Sequence, residues 1–305
     1  MLDSHHHPCH RRGKRRQPRN FAEACNLFLG WAEREYRVRR SYLRLRTSSS
    51  SLARLFGALP VRRIGARELE RFKTERRLAG VKEVTIRHDL HALSVFFQFA
   101  VRMRWTSSNP VRQVAIPSDK DAIRDKVLTA VEEEAYFAAA RRHPLLYDFA
   151  RLILLTGLRP DEALRLTAAD FNPAARTITV TQGKTRHARR TLALVPEAFE
   201  ILSRRAEASG GGYLFPGRRP GSHAAKPYRA HAAACQASGV RFVVYSLRHT
   251  FATRLAEAGV PVPVLAAVLG HSGLRCVHRY VHPSQAAMDA AMMSLAKNQT
   301  GETLR

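Results

Sequence analysis

Apolar residues recur every three or four positions through most of the first 110 residues of the chain. Four segments repeat this spacing: one that begins at Phe21, then residues 51–59, 66–80 and 84–105. The spacing places apolar side chains on one face of an α-helix. Ser107-Ser108-Asn109-Pro110 interrupts the last and strongest pattern. The sequence therefore predicts a small, all-helical bundle over residues 20–112.

The pattern changes beyond residues 113–126, a polar stretch without a period that we interpret as a linker. Thr129 followed by Glu132 has the spacing of a capping box and predicts the start of a helix. A buried helix is expected to end near Gly157, and Pro160 suits the first position of the next helix. Further on, alternating residues on both sides of a glycine-containing turn predict a β-hairpin. The second half is thus expected to combine helices with a small sheet.

The net charge of the chain indicates the kind of partner that it binds. Lysine and arginine number 51 against 25 acidic residues, which gives a net charge of +26. The excess is +5 in residues 1–19, +11 in residues 20–112 and +10 in residues 113–305. Positive charge in two folded segments indicates a polyanion that touches both, and nucleic acid is such a partner. Its binding should weaken steeply with salt. A ribosomal protein or a generally basic surface remains an alternative on charge alone.

Composition also argues against several classes of protein. No window approaches 18 uninterrupted apolar residues, so no transmembrane helix is expected. Residues 1–19 lack the apolar core of a secretory signal and are expected to form a disordered basic tail. The four cysteines are scattered, which favours a reducing, cytoplasmic setting. The histidines of the tail have no second ligand cluster, so no metal site is expected there.

The segment TGLRPDEALRL, residues 156–166, places an arginine at the junction of two predicted helices. Arg159 lies just past Gly157, and Glu162 follows three residues later. Residues three apart share a helix face, so Glu162 is placed to orient the guanidinium. Taken alone, the pair is more typical of an ordinary surface ion pair.

A second arginine occurs in YSLRHTFAT, residues 245–253. Ser246 is predicted to be the N-cap of a helix, which would put Arg248 in its first turn. The first turn has free N–H groups and the positive end of the helix dipole, which suit a phosphate. In isolation, Arg248 and His249 are more typical of solvated or capping residues.

The segment LGHSGLRCVHRYVH, residues 269–282, contains a tyrosine on a predicted basic helix. Gly270 is expected to end the preceding helix, His271 to lie in the turn, and Tyr280 to follow nine residues later. His278 and His282 flank this tyrosine at a spacing that metal ligands use, yet we expect no metal there. A lone tyrosine on a helix is usually a core or surface residue.

The segment Gly183-Lys184-Thr185 lies in the predicted hairpin turn. It resembles the end of a phosphate-binding P-loop, but that motif requires a glycine where this chain has Ile178, and a strand–loop–helix context. Strand patterns flank the segment instead, so nucleotide binding is not expected. By itself, Lys184 is a solvated lysine at the tip of a hairpin.

These motifs become specific through their order. TGLRPDEALRL, the strand pair around GKTRHARRTLAL, YSLRHTFATRL, VLGHSGL and RYVH follow one another as in the tyrosine recombinase (phage integrase) family. The chain resembles that family along nearly its whole length. The resemblance implies a mostly α fold with a small β-sheet: an N-terminal, SAM-like core-binding bundle and an α/β integrase-type catalytic domain that form a C-shaped DNA clamp. The implied division is 1–19 tail, 20–112 core-binding domain, 113–126 linker, 127–298 catalytic domain and 299–305 tail.

The resemblance also implies a catalytic role for five residues. Tyr280 would attack the scissile phosphate of double-stranded DNA, forming a 3′-phosphotyrosyl bond and freeing a 5′-hydroxyl. Arg159 and Arg248 would bind the non-bridging oxygens, and Lys184 would protonate the leaving oxygen. His271 would hydrogen-bond the phosphate or the nucleophile. A phenol with a pKa near 10 needs cationic neighbours or a base at neutral pH. No metal, nucleotide or other cofactor is implied, because the covalent bond preserves the phosphodiester.

Two further positions would support this chemistry. Glu162 would orient Arg159. The family often has His or Lys three residues before the second arginine, where this chain has Tyr245. A phenol can donate a hydrogen bond but does not replace an imidazole as an acid or base, so we expect a supporting role and a slower reaction. His249 is expected to support helix packing.

The resemblance implies a site-specific recombinase or integrase that acts as a homo-oligomer, a tetramer on paired sites, in the cytoplasm of a bacterium. Two alternatives remain: a type IB topoisomerase-like enzyme that relaxes DNA as one protomer, and a DNA-binding module with weak catalysis. The separate helical domain and the short region after Tyr280 favour the recombinase. The apolar face of residues 284–297 suits docking onto a neighbouring protomer or packing within its own chain.

Overall fold

A computed structural model describes residues 17–36, 39–118, 126–181, 189–280, 288–289 and 292–293. The chain divides into two compact units, Met1–Ile123 and Arg124–Arg305. Several sequence predictions lie outside the described residues: the tail over residues 1–16, Lys184 and its hairpin turn, His282, and most of the C-terminal helix. Met288 and Met292 of that helix are described, and both are exposed.

Helices form most of the described part of the first unit. They are α1 (Phe21–Glu35), α2 (Arg39–Phe56), α3 (Ala66–Leu78) and α4 (Glu83–Arg102). The side chain of Asn20 caps α1 by accepting a hydrogen bond from the N–H of Glu23 at 3.0 Å. The prediction of a second helix over residues 51–59 was wrong in its bounds, because α2 begins twelve residues earlier and ends at Phe56. Its first half contains four arginines, and packing of α2 against α1 and α4 supports it.

Aromatic side chains fill the core of the first unit. The ring of Phe96 on α4 lies 4.8 Å from Phe21 and 5.5 Å from Phe28, both on α1. Trp31 stacks on Phe99 at 4.9 Å. Each buried aromatic side chain contributes about 1.5–3 kcal/mol to the free energy of unfolding. The 3–4 spacing of these residues in the sequence therefore identified the packed face of both helices.

The second unit contains seven helices and a three-stranded sheet within the described residues. The helices are α5 (Ala130–Ala140), α6 (Pro144–Thr156), α7 (Pro160–Arg165), α8 (Pro196–Ser209), α9 (Tyr228–Ser238), α10 (Tyr245–Glu257) and α11 (Val262–Leu269). The strands are β1 (Phe171–Asn172), β2 (Thr177–Val180) and β3 (Arg190–Ala193), and they pair antiparallel in the order β1-β2-β3. The β2–β3 pair confirms the predicted hairpin strands, whereas the two-residue β1 was not anticipated.

Most helix ends of the second unit follow their sequence signals. Thr129 and Glu132 form the predicted capping box at the start of α5. Gly157 ends α6 with a φ of 65°, in the left-handed region that favours glycine, and Pro160 occupies the first position of α7. The predicted cap of α10 was wrong: the helix begins at Tyr245, so Ser246 lies inside its first turn.

Two apolar clusters form the core of the second unit. The larger surrounds α6 and includes residues of the sheet, α5, α8 and α9. The smaller lies between α10 and α11 and includes Ala252, Leu265, Leu269, Val277 and Tyr280. The predicted nucleophile is therefore part of a packed cluster and not an exposed surface residue.

A buried histidine links α5 to α9. The Nε2 atom of His231 lies 3.0 Å from the carbonyl oxygen of Phe242, which can only accept, so Nε2 carries the proton. The hydroxyl of Tyr136 then donates to Nδ1 at 2.8 Å. Burial lowers the pKa of His231, although the Phe242 carbonyl opposes this. The folded protein therefore favours the neutral imidazole.

We expect this histidine to make stability depend on pH. Because its folded pKa lies below the unfolded value of about 6.5, its contribution is complete above that pH and is lost as pH falls through the folded pKa. Urea unfolding at about pH 7.5 and about pH 5.5 should show a smaller acid-induced loss in His231→Gln than in the wild type. An equal loss in both proteins would contradict the assignment, and the exposed His278→Gln is the matched control.

Candidate active site

Four of the residues singled out in the sequence are brought together where α6, α10 and α11 end or begin. Arg159 directly precedes α7, Glu162 lies within α7, and Arg248 lies on α10. His271 follows Gly270, which ends α11 with a φ of 63°. Arg248 and His271 are distant in sequence from the Arg159–Glu162 pair, and the hydrogen bonds described below join all four residues.

Glu162 forms the centre of this group. Its carboxylate accepts a hydrogen bond from the backbone N–H of Arg159 at 2.9 Å and another from Nη1 of the same residue at 2.7 Å. Nη2 of Arg190 donates at 2.9 Å to Oε2, the same oxygen that accepts from the Arg159 N–H, whereas Nη1 of Arg159 donates to Oε1. Burial by itself would raise the pKa of Glu162, but the hydrogen bonds and charge of Arg190 and Arg159 outweigh burial and hold it below 4.5. The predicted orientation of Arg159 by Glu162 is therefore present in the structure.

Arg248 is completely buried, with 0% of its side chain exposed. Its Nη1 donates to the carbonyl oxygen of Gly157 at 2.5 Å, and its Nη2 donates to that of Leu269 at 2.6 Å. Burial lowers its pKa to about 10, a change that the neighbouring Arg159 reinforces and Tyr245 opposes. The guanidinium remains charged at neutral pH. Its side chain thus faces the ends of α6 and α11, and not the start of its own helix as the sequence suggested.

Gly157 must be glycine for this contact to form. Its φ of 65° is strained for other residues, and an added Cβ atom would lie 2.4 Å from a ring carbon of Phe251. The left-handed turn directs the carbonyl of Gly157 at Arg248. The glycine that ends α6 is therefore part of the arginine's binding site.

Three successive carbonyls at the end of α11 each accept a hydrogen bond from a different arginine. Val268 accepts from Nε of Arg190 at 2.6 Å, Leu269 from Arg248 at 2.6 Å, and Gly270 from Nη2 of Arg159 at 3.1 Å. The last carbonyls of a helix have no partner within it, and they carry the negative end of the helix dipole. The end of α11 thus stabilises three cations in one place.

The same helix end positions His271. Nη2 of Arg248 lies 3.0 Å from Nε2 of His271. Because a guanidinium only donates, Nε2 accepts and the ring proton is on Nδ1. His271 is therefore neutral in this arrangement, and its orientation depends on Arg248.

Tyr280 lies on a 3-10 turn, His278–Tyr280, and not on the predicted α-helix. Only 5% of its surface is exposed. Its ring centroid lies 5.4 Å from that of His249, which in turn lies 5.0 Å from the ring of Tyr245. His249 thus packs between the two tyrosines. Packing in the small apolar cluster and this row of rings hold the phenol next to α10 and α11.

Sequence reasoning missed Arg190. This residue begins β3 on the same face as Leu192, which is buried. Its side chain is 6% exposed and pairs with Glu162. The signal was present in the strand alternation, because an arginine on the inward face of a strand requires a buried partner.

The described residues contain neither a metal-binding cluster nor a membrane-spanning helix. No group of three or more His, Cys, Asp or Glu side chains in this part of the chain is placed to hold a metal ion. Among the same residues, no helix has both the length and the apolar character needed to cross a bilayer.

Comparison with known proteins identifies relatives of the chain. The sequence model of the phage integrase family matches residues 122–287, more than half of the 305 residues. The integrase of Haemophilus phage HP1 is 27% identical over 220 residues, covering 69% of this chain and 59% of the relative. Tyrosine recombinase XerC of Bacillus subtilis is 27% identical over 237 residues, covering 73% and 78%. The chain spans 63% and 59% of the length of its relatives from phages Pf1 and HP1, less than two thirds of each.

Solved structures share the fold. An integrase of transposon Tn1549, in complex with a circular-intermediate DNA, superposes with a TM-score of 0.74 at 20% identity and covers 89% of this chain and 99% of its own. A lambda integrase dimer bound to a core site gives a TM-score of 0.72 at 20% identity and covers 85% and 76%. The expectation of a mostly helical fold with a small sheet is confirmed by these matches and by the structure.

Proposed function

Since the chain belongs to the phage integrase family, we propose that it is a site-specific DNA recombinase that cleaves and rejoins duplex DNA through Tyr280. The observation that carries the proposal is the convergence of Arg159, Arg248 and His271 at the end of α11, next to the cluster that contains Tyr280. Forked donors suit the two non-bridging oxygens of a phosphodiester. The site therefore has the charge and the donors for phosphoryl transfer to a tyrosine.

The proposed reaction has two steps that mirror each other. The phenol of Tyr280 releases its proton to water and its oxygen attacks phosphorus, the bond to the 5′-oxygen breaks, and a 3′-phosphotyrosyl bond forms. Lys184 protonates the departing 5′-oxygen. Arg159 and Arg248 stabilise the negative charge that builds on the phosphate in the transition state. Attack by a 5′-hydroxyl from the partner strand then reverses these steps and joins the exchanged ends without ATP or a metal ion.

The positive charge of both units supports duplex DNA as the partner. We propose that residues 20–112 form a core-binding domain that holds one face of the duplex and residues 127–298 the catalytic domain on the other, as a C-shaped clamp. A lambda integrase tetramer has been solved on a Holliday junction. For this chain we propose the same assembly on paired sites, acting in the cytoplasm, with residues 284–297 docking between protomers.

Covalent trapping tests the proposal. The protein is incubated with randomised duplexes that carry a nick near the cleavage position, so that a short fragment diffuses away after attack. A slowly migrating, protease-sensitive adduct on a denaturing gel is the expected result. Peptide mapping should place the DNA on Tyr280, and sequencing the trapped strand gives the recognition site.

Two outcomes would redirect the proposal. Tight, salt-dependent duplex binding without any adduct would favour a binding-only module, and Tyr245→His would then be the first variant to make. Adducts formed by a complex that stays one protein to one DNA throughout turnover would favour a topoisomerase-like enzyme. Sedimentation of the complex on its selected DNA site distinguishes the single protomer of a topoisomerase-like enzyme from the oligomer of a recombinase.

A further inference from the structure

Arg190 is a buried arginine outside the set of residues assigned to the reaction. It lies at the start of β3, at the end of the hairpin next to the turn, where it pairs with Val180, and 6% of its side chain is exposed. Its Nη2 donates to Oε2 of Glu162 at 2.9 Å, and its Nε donates to the carbonyl of Val268 at 2.6 Å. It therefore joins the sheet to both α7 and the end of α11.

The contact with Glu162 decides how charge is distributed in the site. Glu162 is 8% exposed, so its carboxylate needs cationic partners. It has two close ones, Arg159 and Arg190, and Nη1 of Arg248 lies at 4.0 Å. If Arg190 were removed, the whole negative charge would fall on Arg159 and Arg248. Glu162 would then partly neutralise the positive charge of the two arginines that are expected to bind a phosphate.

The contact with Val268 holds the last turn of α11. The carbonyl next to it, Leu269, orients Arg248, and the one after that, Gly270, orients Arg159. A shift of the Val268 carbonyl would move both acceptors, and His271 with them. Arg190 thus acts on the same two arginines by two separate routes.

We propose that Arg190 is a positioning residue, which takes up the charge of Glu162 and fixes the end of α11 so that Arg159 and Arg248 keep their charge and orientation for an anionic phosphate. This inference rests on the proposed function. Arg190 acts through Glu162 and the Val268 carbonyl, to which its guanidinium is hydrogen-bonded, and is assigned no contact with the reacting atoms. Its loss should slow the covalent step and leave DNA affinity, which comes from many phosphate contacts, nearly unchanged.

The first test compares Arg190→Met with a matched control. Arg151→Met is that control, because Arg151 is a largely buried arginine that also bridges two carboxylates, Glu133 and Glu197, away from this site. We expect Arg190→Met to lower the single-turnover rate of adduct formation about tenfold to 100-fold, with the duplex Kd within about threefold. Arg151→Met should keep the wild-type rate. Equal rates for Arg190→Met and Arg151→Met would overturn the proposal.

The pH profile distinguishes positioning from general loss of structure. Among the described residues, the charged or titratable groups that face Glu162 are Arg159, Arg190 and Arg248, with His271 beyond the last of these. Removing Arg190 removes the strongest influence that lowers the Glu162 pKa, so the carboxylate should become protonated at a higher pH. Glu162 is ionised above its pKa and becomes protonated as pH falls through that pKa, and the protonated form no longer orients Arg159. The acid limb of the rate profile should therefore move to higher pH in Arg190→Met only.

Two further proteins keep the inference testable whatever the first variant does. Arg190→Lys retains the charge without the fork, so it should restore the wild-type acid limb and only part of the rate. If Arg190→Met does not fold, a wild-type rate in Arg190→Lys overturns the inference. Carbon-13 NMR of glutamate-labelled protein follows the protonation of Glu162 without DNA. The Glu162 signal is assigned by its absence in Glu162→Gln.

These readouts separate the inference from the proposed function. If the wild type forms no adduct, the proposed function fails, and the NMR titration alone decides whether Arg190 controls the charge of Glu162. An unchanged Glu162 titration in Arg190→Met would overturn the inference even if the wild type forms adducts. A Glu162 pKa that is raised in Arg190→Met and has its wild-type value in Arg190→Lys would support the inference.

Discussion

Replacing Tyr280 by phenylalanine is expected to remove covalent protein–DNA adducts completely while leaving the affinity for duplex DNA nearly unchanged. The substitution deletes one oxygen atom, which is the only nucleophile that the proposed reaction uses at this position. The ring of phenylalanine fills the same space between His249 and the apolar cluster of Ala252, Leu265 and Val277. Denaturing gels measure the adduct, and a salt series of duplex-binding isotherms measures the affinity.

The matched control is Tyr136→Phe. This tyrosine is also buried in the second unit, but its hydroxyl donates to His231 and lies outside the site. Loss of that hydrogen bond should lower the free energy of unfolding by about 1 kcal/mol and leave adducts in place. Adducts that persist in Tyr280→Phe at the wild-type yield would remove Tyr280 from the mechanism. Their loss in both variants would point to damaged folding instead.

Local chemistry explains which parts of the fold were predictable. Thr129 and Glu132 bond to each other across three residues, Gly157 ends α6, and Pro160 starts α7. Each of these signals depends on neighbours in sequence, so no tertiary information was required. The pairing of Arg159 with Glu162 was predictable for the same reason, since both residues belong to one turn of chain.

The environment of Arg248 could not be predicted in this way. The sequence placed it at the open start of a helix capped by Ser246, where it would face a phosphate and solvent. The helix begins at Tyr245 instead, and the guanidinium is buried against the carbonyls of Gly157 and Leu269, which are 91 and 21 residues away. Only the folded chain brings those two helix ends together. The partners of Arg190 were unpredictable for the same reason: strand alternation marks the residue as inward-facing, but Glu162 and Val268 lie on other elements.

Arg248→Lys is expected to slow adduct formation by about 100-fold to 1,000-fold, the usual cost of losing a donor to the transition-state charge. Two nitrogens of the guanidinium serve two separate carbonyls, at 2.5 and 2.6 Å, and one of them also reaches His271. An ammonium group on a flexible stem is a point charge that cannot span this set of acceptors. His271 would then lose the donor that fixes its tautomer, so the substitution affects His271 as well as the guanidinium.

The same change should also destabilise the fold, which sets it apart from Tyr280→Phe. A carbonyl of Gly157 or Leu269 that is left buried without a donor costs about 1–3 kcal/mol, so the urea midpoint of Arg248→Lys should fall. Arg254→Lys is the control on the same helix, because Arg254 is 43% exposed and pairs with Glu133 outside the site. It should keep both the rate and the midpoint. Rates are measured without urea on protein that circular dichroism shows to be folded. This separates the effect on adduct formation from the effect on stability. A folded Arg248→Lys protein that forms adducts at the wild-type rate would show that the fork is not required, and the central place of α11 in the mechanism would have to be given up.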